Sequence, residues 1–438
     1  MSDDCVRAAV VGGGVTGIAA AMKLHELGCQ VDLLERDHRI GGRIGIDYLS
    51  GREIDMGGKN IGRRYTRFRK LIDALGGAIF EPFGINTSRI VGGELLTVDS
   101  SHRTDSIRYL LRTCELRGLV KFGQIARKVY FDDDARFASS DLCRKLAKRY
   151  DAMPMSEHFG AGTVANLFRP ATVRMNGAEP DEVYLGTFPT NVGLLLDSYD
   201  QVTGGLGQVL NRIGEFVRVR CDSEVQAVYG TAKAAAARVL VSTGGRAPVM
   251  EQYDIVALCT PAHATAAMVA DWIAPLAALL RTVRYFQSTI AVVEYSDDVF
   301  GRDVRAVALD GQPCSNVGSY GMEDRRTLRY TFSGKHGRFD NPGHTDIAVL
   351  VDEAEAYLGN TIGLKYPKRT AVLTRHWPQS YCGYLPHYAD FLDSVSAIVA
   401  DLGNVALAGD YLAGTSLEAC CRSGEAAAER LSRLSRVS

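Results

Sequence analysis

Residues 6–43 read VRAAVVGGGVTGIAAAMKLHELGCQVDLLERDHRIGGR, and the order of textures in that stretch decides the fold. Val6 to Val11 is an apolar run of strand length. Gly12, Gly13 and Gly14 interrupt it, Ile18 to Leu27 repeat apolar residues at helical spacing, and Gly28 ends that helix. Val31 to Leu34 is the next buried strand, so the stretch predicts one strand, turn, helix, strand unit of a parallel sheet. Between strand and helix, Gly12, Gly14 and Gly17 supply G-x-G-x-x-G. The first glycine allows a tight turn, the second lets a pyrophosphate approach the backbone, and the third lets helix and strand pack closely. The phosphates of a dinucleotide would face the N–H groups that open the helix, at Val15 and Thr16. Glu35 lies 18 residues past Gly17, at the end of the second strand, where a carboxylate accepts hydrogen bonds from ribose hydroxyls and disfavours a 2′-phosphate.

Arg36 follows directly, and Gly41, Gly42 and Arg43 form a second glycine turn whose basic residue could close over the pyrophosphate from the other side. Beyond about residue 76 the texture changes to basic, amphipathic segments such as Ser106 to Arg117 and Asp141 to Tyr150. It returns at Gly204 with a Gly-rich turn, a helix near Leu206 to Ile213, and β-branched runs at Glu224 to Val228, Arg238 to Val241 and Ile255 to Leu258, the last closed by Pro261. Residues 232 to 237 are Ala-rich and read as a hairpin turn. Strand-like runs at Ile290 to Tyr295 and Arg326 to Phe332 precede a final strand at Val405 to Ala408 and a helix from about Leu417. The dinucleotide domain is therefore expected to be discontinuous, in residues 1–75, 203–275 and 400–438, with a substrate domain in 76–202 and 276–399.

The run from Val10 to Arg43 resembles the FAD fingerprint of the amine oxidase and protoporphyrinogen oxidase superfamily. Ile54-Asp55-Met56-Gly57-Gly58, Gly204-Gly205-Leu206-Gly207 and Ala408-Gly409-Asp410 resemble further family blocks in the same order, so the likeness spans nearly the whole chain, weakest over residues 80 to 200. The resemblance implies an α/β fold: a doubly wound, Rossmann-like FAD domain of glutathione-reductase type, with a discontinuous α+β substrate domain. It implies non-covalent FAD, with Val225 at the adenine-facing backbone position, Asp410 on the ribityl chain, Gly57 and Gly58 along the ring, and the turn Thr415-Ser416-Leu417 offering N–H groups to its pyrimidine end. Cys382 suggests a covalent flavin link, but its spacing to Tyr384 is off by one from that pattern.

The sequence also departs from the amine oxidases. Ala291 stands where the family carries a lysine that holds a water near the flavin, and Ser416 stands where it carries a cage tyrosine. The remaining pocket candidates are Asn60, Trp377, Tyr381 and Tyr384, the last three in an aromatic loop flanked by His376 and His387, either of which could be a general base. Lys59 is either solvated or in contact with substrate or ring. Arg63, Arg67 and Lys70, at i, i+4, i+7, suit an anionic substrate or simply an exposed helical face.

The 50 Lys and Arg balance 51 Asp and Glu, so no global field favours nucleic acid or an anionic membrane surface. Met1 to Arg7 has no apolar signal segment, and no window approaches a membrane span, so a cytoplasmic location is expected. The ten cysteines lack metal-ligand spacing and read as reduced, mostly buried residues. The expected activity is hydride transfer from a C–N or C–C bond of a small metabolite to FAD, with O2 reoxidising it. The missing lysine and tyrosine tilt this toward the protoporphyrinogen-oxidase or desaturase-like branch. A sugar-mutase-like isomerase and a flavin-binding protein without turnover remain as alternatives. With one dinucleotide fingerprint, NAD(P)H is not expected as a stoichiometric substrate.

Overall fold

The computed structural model describes residues 5–83, 87–91, 94–98, 103–230, 236–302, 304–339 and 345–435. The expected unit forms as strand β1 (Arg7–Val11), helix α1 (Val15–Glu26) and strand β2 (Gln30–Leu34), with the two strands parallel. Each strand exposes only its first residue, as a parallel sheet covered on both faces requires. Gly28, at φ +88°, turns the chain out of α1 in a conformation that glycine adopts without steric cost.

The sheet extends to five parallel strands in the order Arg218–Arg220, β2, β1, Ile255–Leu258, Val405–Leu407. Helix α1 packs against the helix Leu417–Ser435, and the contact is close at Gly424, where a Cβ would come within 2.2 Å of the Thr16 carbonyl oxygen. Beside this sheet lies an antiparallel one, Ser223–Tyr229, Ala237–Thr243 and Val249–Tyr253, whose register slips between Val225 and Ala227. Of the Ala-rich patch, residues 232–235 lie outside the described residues.

A mixed seven-stranded sheet forms the second layer system. It contains β3 (Arg284–Tyr295), β4 (Cys314–Ser319), β5 (Thr327–Phe332) and β6 (Arg369–Gly383), in the order β6, β3, β5, β4, then Ala306–Ala308, Thr87–Val91 and Glu94–Val98. Side chains alternate between its faces. Ala291, Val293, Leu328 and Tyr330 face one core, together with Val351, Ala354 and Leu358 of the helix Ile347–Ile362. Ile290 and Val292 face the other way, against Ile54 and Met56. Residues 116–196 add a helical cluster around Phe159, Phe168 and Phe188, which stack edge to face, and include helix α2 (Arg169–Asn176).

Two expectations are corrected here. Trp377 to Gly383 is not a loop but the end of β6; its full pairing with β3 is interrupted by a bulge near Gln287, and Pro378 with its polar neighbours hides the period. Arg63 does not share a helical face with Arg67 and Lys70, because that helix starts at Thr66. Arg63 and Arg67 are held instead by Asp200 and Glu425. Six of the ten cysteines are buried, in keeping with their reading as small apolar residues. No helix among the described residues is long and apolar enough to cross a membrane.

Candidate active site

One cavity of about 1020 Å³ leads from the β1–α1 turn to the polar face of the seven-stranded sheet. Its wall includes Gly12, Gly14, Val15, Thr16, Glu35, Arg36, Gly42, Arg43, Gly57, Gly58, Val225, Asp410, Ser416 and Leu417. Gly17 and Gly409 stand behind it. A Cβ on Gly17 would meet the Gly12 carbonyl oxygen at 1.8 Å, so its absence serves helix–strand packing, as the third fingerprint glycine should. The Gly409 N–H donates to Ser423 Oγ at 2.9 Å.

The dinucleotide end fits FAD. Gly14 caps α1 without a side-chain hydrogen bond and no acid occupies the first turn, so the opening N–H groups are left to a ligand's phosphates. A Cβ on Gly14 would touch only Gly42, at 3.9 Å, whereas Gly12, at φ +102°, is pressed against Cys259. Glu35 accepts the Gly13 N–H at 2.6 Å and the Asp37 N–H at 2.9 Å. Burial raises its pKa, and the two N–H groups oppose that shift.

Farther in, Arg43 Nη1 reaches Asp410 Oδ2 at 2.7 Å, and Tyr285 Oη donates to the other carboxylate oxygen at 3.1 Å. Burial is the largest influence on the Arg43 pKa and lowers it, but the Asp410 charge and hydrogen bond, with Tyr285 and Cys420, together outweigh it and raise it. Gly57 passes so close to the Arg43 backbone that a Cβ would lie 1.8 Å from its carbonyl oxygen. Ser416 Oγ accepts the Ala419 N–H at 3.1 Å, so its side chain is spent on the start of the helix Leu417–Ser435, and its small size leaves room in the wall. Cys382 is fully buried beside Tyr384 and Tyr388, outside the cavity wall.

The opposite end gathers Asn60, Trp377 and Tyr381, but not Tyr384. Tyr384 is corrected from pocket residue to core residue: only 4% exposed, it donates to the Asp410 carbonyl at 3.2 Å and packs on Tyr388. Trp377 donates its indole N–H to the Met56 carbonyl at 3.1 Å, with the Arg375 guanidinium 4.4 Å over its ring. Gly45, at φ +66°, makes this seat possible, since a Cβ there would lie 2.3 Å from the indole. His376 lines the cavity with Nδ1 2.9 Å from Thr289 Oγ1, and burial lowers its pKa. His387 is exposed and absent from the wall.

Lys59 is not solvated. It is 6% exposed, its Nζ 3.9 Å from the Phe83 ring centroid and 4.0 Å from that of Tyr320, and it donates to Gln201 Oε1 at 2.7 Å and to the Tyr320 carbonyl. Burial, then the Arg329 charge, lower its pKa. The position matched to the family lysine also shifts. Ala291 faces away from the cavity, the wall residues on β3 are Ser288 and Ile290, and the one next to Ala291 is apolar.

Sequence reasoning missed Arg174 on α2 and Arg329 on β5, which line this end. Arg329 had a usable signal: it stands between Leu328 and Tyr330 in an alternating strand, which sends a charge to the face opposite a core.

Residues 15–432 match the family model described as flavin containing amine oxidoreductase. Over 77 residues the chain is 40% identical to amine oxidase [flavin-containing] B of Rattus norvegicus, a match covering 17% of this chain and 15% of that relative. The chain thus spans about 15% of the length of that curated relative. Among solved structures it superposes on a protoporphyrinogen oxidase-like protein from Exiguobacterium sp. with TM-score 0.73 and 17% identity, covering 99% of each chain. It superposes on cyclohexylamine oxidase from Brevibacterium oxydans with TM-score 0.73 and 18% identity, covering 98% of this chain and 99% of the other.

Proposed function

This chain belongs to the flavin-containing amine oxidoreductase family and is an FAD-dependent oxidoreductase, and from that premise we propose that it oxidises a C–N bond of a small metabolite. The observation that supports this most is the continuity of one cavity from the Gly12 to Thr16 turn, past Arg43 and Asp410, to the Asn60, Trp377 and Tyr381 wall. When bound, FAD supplies the two-electron acceptor for a hydride leaving the substrate carbon.

The chain's own contribution is placement and exclusion of water. Gly12, Gly14, Glu35 and Val225 hold the adenosine and pyrophosphate. Arg43, Gly57, Gly58, Asp410 and the Thr415 to Leu417 backbone frame the ring end. Trp377, fixed by the Met56 carbonyl, and Tyr381, against Gly177, bound the substrate on rigid strand positions. As the carbon loses a hydride, its nitrogen loses a proton to water, giving a C=N product that water hydrolyses. O2 takes the two electrons and two protons as H2O2.

A second reading, C–C desaturation, is favoured by Ile290 and Ser416, which leave an apolar and roomier wall where the amine oxidases carry a lysine and a tyrosine. The test is anaerobic mixing of the yellow holoprotein with amines, amino acids and cyclic C–C substrates, following loss of the visible flavin band. Bleaching by a C–N compound supports the proposal; bleaching only by C–C substrates replaces it with the second reading. Bleaching by none of them overturns both.

A further inference from the structure

The substrate end of the cavity is built on one face of the seven-stranded sheet. Ile290 on β3 pairs with Thr331 on β5, Thr331 pairs with Asn316 on β4, and Arg329 pairs with Gly318. All five line the cavity, and Arg329 is the charged member of that row. Gly318 beside it carries no side chain, and a Cβ there would meet Ala306 Cβ at 3.1 Å. Arg174 reaches the same end from α2.

The charge there is unbalanced. Four carboxylates line the cavity among the described residues: Glu35, Asp37, Glu224 and Asp410. All belong to the dinucleotide and ring end. Arg329 makes one hydrogen bond, from Nη1 to the Asp55 carbonyl at a long 3.4 Å, and no carboxylate among the described residues stands within 4.0 Å of it. A guanidinium has five N–H donors in a planar fork suited to a carboxylate. Burial lowers the pKa of Arg329, and burial together with the Arg329 charge lowers that of Arg174 to about 10. Lys59 adds a third positive charge nearby. Ser319 pairs with Leu328 and so lies on the core side of the strand, which leaves Arg329 and Gly318 on the cavity side.

We propose that the substrate carries a carboxylate, seated on the guanidinium of Arg329 with Arg174 as second cation. This rests on the reading of the cavity as the oxidation site and narrows its substrate class from amines in general to anionic, carboxylate-bearing C–N compounds. A cationic amine without that group meets three basic groups, and the carboxylates that act on them, Asp55, Asp324 and Glu81, stand outside the cavity wall.

The test uses benzoate as probe, titrated into FAD-loaded protein and followed by the perturbation of the flavin absorption band, with benzylamine as the cationic counterpart. Benzoate should bind and benzylamine should not. Arg329→Met should weaken benzoate at least about tenfold, the loss of a charge-assisted hydrogen bond, and Arg329→Lys should restore part of it. Flavin content should be unchanged in both variants. Equal binding of the two probes, an unchanged benzoate Kd in Arg329→Met, or loss of FAD from that variant would each overturn the proposal. The outcomes separate it from the proposed reaction: benzoate bound through Arg329 with no bleaching by any C–N compound sinks the reaction alone, and bleaching by amines with no benzoate binding sinks the carboxylate site alone.

Discussion

Asp410→Asn removes the negative half of an ion pair whose geometry bounds the cost. Arg43 Nη1 and Asp410 Oδ2 are 2.7 Å apart, with Asp410 2% and Arg43 34% exposed at the side chain. An exposed pair is worth about 0.2–1 kcal/mol, and removing one partner of a fully buried pair costs about 3–5 kcal/mol. Since one partner is buried and the other opens to the cavity, about 2–3 kcal/mol is expected. Asparagine still accepts from Tyr285, so the loss is chiefly the uncompensated guanidinium. For a chain of this size, that is a fall in Tm of about 2–3 °C. Arg43→Met should cost at least as much, because it strands the buried carboxylate. The double variant Arg43→Met/Asp410→Asn should cost less than the sum of its singles by about 1 kcal/mol or more. Thermal unfolding at fixed, saturating FAD measures all four proteins while holding ligand linkage constant. Single losses under about 0.5 kcal/mol, or strict additivity, would refute the reasoning that the two charges neutralise each other.

Glu35→Ala should weaken FAD by about 1–3 kcal/mol, read by fluorescence titration; unchanged affinity would remove Glu35 from the ribose. Gly45→Ala should displace Trp377, since a Cβ would sit 2.3 Å from the indole and a left-handed alanine costs about 1–2 kcal/mol; the intrinsic tryptophan emission should shift, and an unchanged spectrum and Tm would contradict it. Asp55 has its pKa raised to about 6, by burial first and by Glu53, against the Leu206 N–H. The native state therefore holds a proton that the unfolded chain releases. The resulting stability is complete below the ordinary aspartate value and lost as pH rises through 6. Asp55→Asn should thus stabilise the protein by about 1–3 kcal/mol at pH 8 and by little at pH 4, checked by urea unfolding at both. Ser416→Tyr should slow single-turnover flavin reduction with FAD content intact, because it refills the wall, while the lost acceptor for the Ala419 N–H should cost about 1 kcal/mol of stability.

What was legible in the sequence was whatever depends on local backbone chemistry. Gly12, Gly14, Gly17 and Gly28 announce a turn, a close approach and a helix end whatever the rest of the chain does, and the strands at 7–11, 30–34, 255–258 and 405–407 are mainly apolar, with Asp32 the one polar residue inside them. The short strand Arg218–Arg220 carries no such run, because it lies at the sheet edge with only half-buried residues. The strand Arg369–Gly383 was hidden for a related reason: its exposed and half-buried positions mix His, Arg, Pro and Gln with aromatics. Tyr384 and Ala291 show the other limit. A family position can be matched to within one residue, and in a strand one residue is the difference between cavity and core. Arg174 and Arg329 come together only in three dimensions, from a helix and a strand that share no local pattern.

The parallel sheet also carries a consequence for the order in which the protein is made. Its first three neighbours in space include the start of the chain, yet its edge strand Val405–Leu407, the carboxylate at Asp410 and the turn before Leu417 are translated last. Helix α1, buried for most of its length, lacks its cover until the helix Leu417–Ser435 arrives. A growing chain would therefore expose that apolar face until the helix Leu417–Ser435 is made, the condition under which chains aggregate or recruit chaperones. Flavin capture waits for the same stretch, since Asp410 and the turn before Leu417 complete the wall of its site.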